Sequence, residues 1–271
     1  MKPETIGYAR WIGSALAAVL VMSVVSVFAP HVRVAPFVVY STAFCCVVAA
    51  TLFTAWAAPP LARSSLILVL VAIAALEIVA TLKPGTTSLW AASVVLSALL
   101  FAGTAIGTVI GRAIQHPGQL FIVGVVFTLA DTFSVFHPAG PSAAIVYAAP
   151  SLMSVLALPW PLFGTEEFVP VLGVGDVTAA ALFISASRVH ELPLSRTIIA
   201  LFVGLMGTMA FVWWTELAMP ALPLMSFAVI AAHPRARRLR REDRRPALIG
   251  FAVMATLYVL AWLALSRGTT P

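Results

Sequence analysis

Residues 118–136 read GQLFIVGVVFTLADTFSVF, a run with a single charge, Asp131, that as a helix rising about 1.5 Å per residue crosses the roughly 30 Å hydrocarbon core of a bilayer. The rest of the chain has the same character: of 271 residues, 61% are apolar and 10% charged. That leaves too little polar surface for a globule in water. Further apolar runs lie near 9–29, 35–57, 65–82, 88–111, 168–187, 197–217, 220–232 and 247–265. With 118–136 they predict an all-α polytopic membrane protein of about nine transmembrane helices. The stretch 138–164 is apolar but interrupted by Pro138, Pro141, Pro150, Pro159 and Pro161, each of which removes a helix hydrogen bond. It reads as a re-entrant or interfacial connection, since irregular backbone at membrane depth survives only where protein or water covers it.

The charges fit this count. With the N-terminus inside, Lys2, Arg10, Arg63, Arg112, Arg188, Arg196 and the seven arginines of 235–245 fall on the inner side, and only Arg33, Lys83 and Arg267 outside. The positive-inside rule therefore predicts a multi-pass protein of a cell inner membrane with a cytoplasmic N-terminus. The net charge of +6 does not point to nucleic acid, because seven of the sixteen basic residues sit together in the Arg235 to Arg245 stretch, which reads as a juxtamembrane loop. The first span follows Lys2 and Arg10, but Pro30 after Ala29 hinders cleavage, so it is read as an anchor. Cys45 and Cys46 are adjacent in an apolar run and behave as small core residues. No metal-ligand spacing appears and no cofactor is implied. Gly103, Gly107 and Gly111 recur every four residues in one span, which lets a neighbouring helix of the same chain approach closely.

Four acids, Glu77, Asp131, Asp176 and Glu216, fall within or at the edge of apolar spans. A carboxylate there costs at least about 2.5 kcal/mol and points to function. Asp176 ends the motif Gly173-Val174-Gly175-Asp176, some two turns into the 168–187 run. The spans carrying Asp131 and Asp176 run in opposite directions and share the outer loop, so both carboxylates are expected roughly 8–12 Å below the outer surface. Two facing carboxylates share one proton. The ionised member takes a proton from water while the protonated one polarises a carbonyl, which hydrolyses an amide without a metal. Gly173 and Gly175 let a substrate backbone come close. A dinucleotide site is excluded, since no strand is expected before the glycines and no third glycine follows at the required spacing. Pro220-Ala221-Leu222 heads the 220–232 run, as proline at a helix start allows.

An Asp in one span, Gly-x-Gly-Asp in the next and Pro-Ala-Leu at the head of a later helix form an order that resembles the presenilin and signal peptide peptidase family of intramembrane aspartyl proteases and their archaeal relatives. The resemblance covers residues 118–232. It implies a presenilin-like fold, Asp131 and Asp176 as the catalytic dyad, and Gly173, Val174, Gly175, Pro220, Ala221 and Leu222 at the substrate site. It divides the chain into a four-helix part (1–112), a catalytic part (113–233), and a basic loop with an extra helix (234–271). Its partners are transmembrane peptide substrates within the bilayer. The in-to-out, then out-to-in course of the two Asp spans resembles signal peptide peptidase, which implies substrates of type II orientation such as remnant signal peptides. Two features depart from the family. Ala130 stands where members carry Tyr, and the first catalytic span is the fifth here and not the sixth. Three other readings use part of the pattern: a prepilin peptidase, whose signature continues with a Lys where this chain has Val177, Thr178 and Ala179; a proton-coupled transporter built on the buried acids; and a catalytically silent scaffold.

Overall fold

The computed structural model describes residues 3–60, 66–82, 88–137, 140–148 and 152–242, with 244–245, 248–249, 251–252, 255–256 and 258–259 beyond them. The helices are α1 (Pro3–Phe28), α2 (Pro36–Ala57), α3 (Leu66–Leu82), α4 (Leu89–Ala113), α5 (Gln119–Phe136), α6 (Pro141–Ala148), α7 (Met153–Leu156), α8 (Val174–Val189), α9 (Leu194–Thr215) and α10 (Leu222–Ala232). Among the described residues, α1, α2, α4, α5 and α9 belong to the helices long and apolar enough to cross a membrane, with shorter apolar helices in α3 and α10. The expected ninth span, 247–265, lies largely outside the described residues.

The 138–187 region differs from expectation. Strand β1 (Ala157–Pro161) pairs antiparallel with β2 (Phe168–Gly173), so the expected helix over 168–187 starts only at Val174. Asp176 is therefore in its first turn and not two turns in, and a strand does precede the glycines, so the dinucleotide reading fails on the missing third glycine alone. The reason is local. Pro170 removes a helix donor, whereas the β-branched and aromatic run Phe168-Val169-Pro170-Val171 suits a short ribbon in which proline sits at an edge. A bulge between Leu158 and Pro159 absorbs the mismatch among the prolines. Gly164 turns the hairpin at φ +83°, a conformation natural to glycine, and its N–H bonds the Ala29 carbonyl at 2.7 Å. Two short helices, α6 and α7, also lie in this connection, and neither is long enough to cross a bilayer.

The chain packs as two compact units, 1–113 with 151–194, and 114–150 with 195–271. In the first, α8 lies along α4. A Cβ on Gly103 would stand 2.8 Å from Val177 Cγ1, one on Gly107 would overlap the Thr178 carbonyl, and one on Gly111 would stand 2.5 Å from the Leu182 carbonyl. The contact points ascend together on both helices, so α4 and α8 are parallel, and the glycine stripe read in the sequence serves packing inside the chain. Ser185 adds a hydrogen bond to the Thr108 carbonyl at 3.0 Å. On another side of α4, Trp11 Nε1 of α1 donates to Thr104 Oγ1 at 3.0 Å and stacks edge-on with Phe101. Arg188, in the last turn of α8, donates to the carbonyls of Ala58 and Trp56 at the end of α2, while Arg10 lies over the Trp56 ring at 5.0 Å. One end of this unit thus gathers Arg10 and Arg188, and the hairpin occupies the other.

The α4–α8 contact makes a direct prediction. Gly107→Val drives a branched side chain into the α8 backbone and should destabilise the fold by about 1–3 kcal/mol or more, whereas Gly13→Ala, at a position where no described residue comes within 4 Å of the added Cβ, should cost nothing. Thermal unfolding of both variants in detergent checks this.

Candidate active site

In the second unit the candidate side chain is Asp131, in the penultimate turn of α5. Seven residues earlier on the same face, Gly124 lets α10 close in. A Cβ there would stand 2.9 Å from Ile230 Cδ1 and 3.1 Å from Ser226 Cβ. The two helices run antiparallel, so this close approach carries the head of α10 up to Asp131. The Leu222 N–H donates to Asp131 Oδ2 at 2.9 Å, with the backbone N–H of Ala221 acting on the same carboxylate. Ala221 is the N-cap of α10 and its own side chain caps nothing, while a proline follows in the first turn. The first N–H groups of a helix lack intrahelical partners. Here proline removes one such donor and the Asp131 carboxylate takes another, favoured by the positive end of the helix. The structure therefore brings Asp131 and Pro220-Ala221-Leu222 together, and Pro220 is buried beside them.

In the first unit Asp176 lies in the first turn of α8, with Gly173 as the extended N-cap. An acid there suits the helix dipole. Its Oδ2 reaches back over Gly173, 3.5 Å from where a Cβ would sit, and Thr178 ties the turn by bonding the Val174 carbonyl at 2.9 Å. Gly175 is exposed, and a Cβ on it would meet nothing within 4 Å among the described residues. Neither Gly173 nor Gly175 takes a positive φ. Neither glycine is therefore demanded by turn geometry or by packing, in contrast to Gly103, Gly107 and Gly111.

Glu77 lies on an exposed face of α3. Glu216 is exposed at the C-terminal end of α9 in a left-handed conformation, φ +57°, a position usually given to glycine or asparagine. Trp214 beside it is 86% exposed, as aromatic residues at a membrane boundary are. Among the described residues no three His, Cys, Asp or Glu side chains gather into a metal site.

No family model, curated protein or solved structure matches this chain. What the site can do therefore rests on its own residues. Sequence reading passed over one of them, and over a histidine at the far end of α10. Gly124 sets the α5–α10 approach, and its signal is the two-turn spacing to Asp131. His233, which meets Thr197 across Nε2···Oγ1 at 2.8 Å, carries no signal beyond being a histidine at the end of an apolar run.

Asp131 has a structural duty separable from any chemistry. Asp131→Ala should lower stability by about 0.5–2 kcal/mol, the usual cost of losing a helix cap, and Asp131→Asn, which keeps an acceptor oxygen, should lose much less. Chemical or thermal unfolding of the two variants in the same detergent measures the difference.

Proposed function

We propose that the protein is an intramembrane aspartyl protease that hydrolyses peptide bonds within transmembrane segments of type II orientation, such as remnant signal peptides, with Asp131 and Asp176 as its catalytic pair. The observation that carries this reading is the hydrogen bond from Leu222 N–H to Asp131. It joins two pieces of sequence that the resemblance to presenilin and signal peptide peptidase assigns to one site, and it gives Pro220-Ala221-Leu222 a physical task, orienting the carboxylate.

The chemistry follows from the pair. One carboxylate, ionised, takes a proton from water, and the water oxygen attacks the scissile carbonyl carbon. The partner, protonated, donates to the carbonyl oxygen as it becomes tetrahedral. Collapse of the intermediate breaks the C–N bond, and the proton held by the first carboxylate passes to the departing amine. Gly175 supports the same reading: among the described residues nothing stands within 4 Å of a Cβ placed on it, and an extended substrate backbone approaches a bare Cα more closely than any side chain would permit. The orientation follows from charge. In the first unit Arg10 and Arg188 lie at the end away from Asp176, and in the second Arg196 and Arg235 lie at the end of the α9–α10 pair away from Asp131. The positive-inside rule puts those arginines in the cytoplasm and both carboxylates toward the outer face.

Asp131→Asn and Asp176→Asn should each reduce cleavage of a type II transmembrane peptide by at least about a hundredfold, and the double variant should be little worse than either, because the pair acts as a unit. Robust cleavage by either single variant would rule out the dyad. Membrane-impermeant thiol labelling of cysteines placed at Glu167 and at Arg240 should mark the first and spare the second in intact cells. The opposite pattern would reverse the topology and with it the class of substrate.

A further inference from the structure

Within the second unit, α9 lies against α10 along part of its length. Near the middle of α9, Gly204 comes so close that an added Cβ would stand 2.8 Å from Met225 Cα. Toward the start of α9, Thr197 and His233 make their 2.8 Å bond. Along this line the facing residues are small, Ala200, Gly204 and Gly207 on α9 with Ala228 and Ala232 on α10, and they leave a groove of about 520 Å³. Its walls include Val203 and Phe227, which are 57% and 72% exposed. Such a groove opens on the surroundings of the helices, which for a membrane protein means lipid.

Among the described residues lining the groove, Arg196 is the charged one. It lies in the first turn of α9, which holds no acidic residue, so the guanidinium adds to the positive end of the helix dipole where an acid would normally balance it. Its field reaches His233, whose pKa is held below the ordinary imidazole value by burial first and by Arg196 second. Arg235, exposed in the turn beyond α10, adds further positive charge to that end of the unit. The helical path from Arg196 to Gly207 is about 16 Å, matching the roughly 15 Å of hydrocarbon in one leaflet.

We infer that the α9–α10 groove binds one anionic phospholipid, an acyl chain lying along Ala200, Gly204 and Gly207 with the headgroup phosphate on Arg196. The chemistry is that of basic pockets between transmembrane helices, which hold anionic headgroups from the cytoplasmic side. The inference is independent of the protease reading, and its test needs no substrate.

The test uses full-length protein in nanodiscs of equimolar phosphatidylglycerol and phosphatidylcholine, released into the gas phase for native mass spectrometry of the lipids retained. The wild-type protein should keep phosphatidylglycerol over phosphatidylcholine by about fivefold, the selectivity of about 1 kcal/mol that one such cation supplies. Arg196→Gln should bring the two lipids to parity, and Arg196→Lys should retain the preference. Gly207→Leu, at a position where the added Cβ meets only Leu224 Cδ1 at 3.6 Å, should plug the groove and reduce retention of both lipids. No preference in the wild type, a preference unchanged in Arg196→Gln, or undiminished retention in Gly207→Leu would each overturn the inference.

Discussion

The absence of a side chain at a few positions governs this structure. Lipid tails are as apolar as leucine, so the hydrophobic effect does not hold one transmembrane helix to another. Close packing and hydrogen bonds must do it. Gly103, Gly107 and Gly111 bring α4 onto α8 at a separation no side chain would allow, and Gly124 and Gly204 do the same for α10 against α5 and α9. Each of these contacts fixes the height of one helix against another, and the heights decide which polar groups meet. Without Gly124, the head of α10 would stand off from Asp131.

Four polar side chains each tie two elements together. Trp11 reaches Thr104, Ser185 reaches the Thr108 carbonyl, Arg188 reaches the end of α2, and Asp131 reaches the head of α10. In a medium that offers no competing water, each such bond is an alternative to an unsatisfied polar group costing several kcal/mol. Two of them close helix ends from outside the helix. Arg188 serves the last carbonyls of α2, and Asp131 serves the first N–H of α10, the positions where an apolar helix has nothing of its own to offer.

The sequence made the membrane class legible because composition alone decides it, and the edges of α2, α3, α4 and α5 because Pro36, Gly118 and the polar breaks around them mark where apolar runs end. The glycine stripe of α4 was readable for the same reason, as a period of four on one face. The hairpin was not. Phe168 to Gly173 is as apolar as any span, and hydropathy cannot separate a short strand from the first turns of a helix; Pro170 and the valines beside it were the only hints. The meeting of Asp131 with Leu222 was foreshadowed by motif order, but the bond itself depends on the α5–α10 approach through Gly124, and no single-sequence pattern names which helix a glycine will face.

The hairpin also sets how α8 fits its surroundings. A helix of 16 residues is about 24 Å long, some 6 Å short of a typical hydrocarbon core. A lone helix with that deficit would thin the bilayer or tilt upright to reduce the mismatch. Here the helix is preceded by β2, whose backbone is paired to β1, itself buried along its whole length. The first turn of α8, which holds Gly175 and Asp176, therefore follows directly on paired strand backbone and not on further turns of helix.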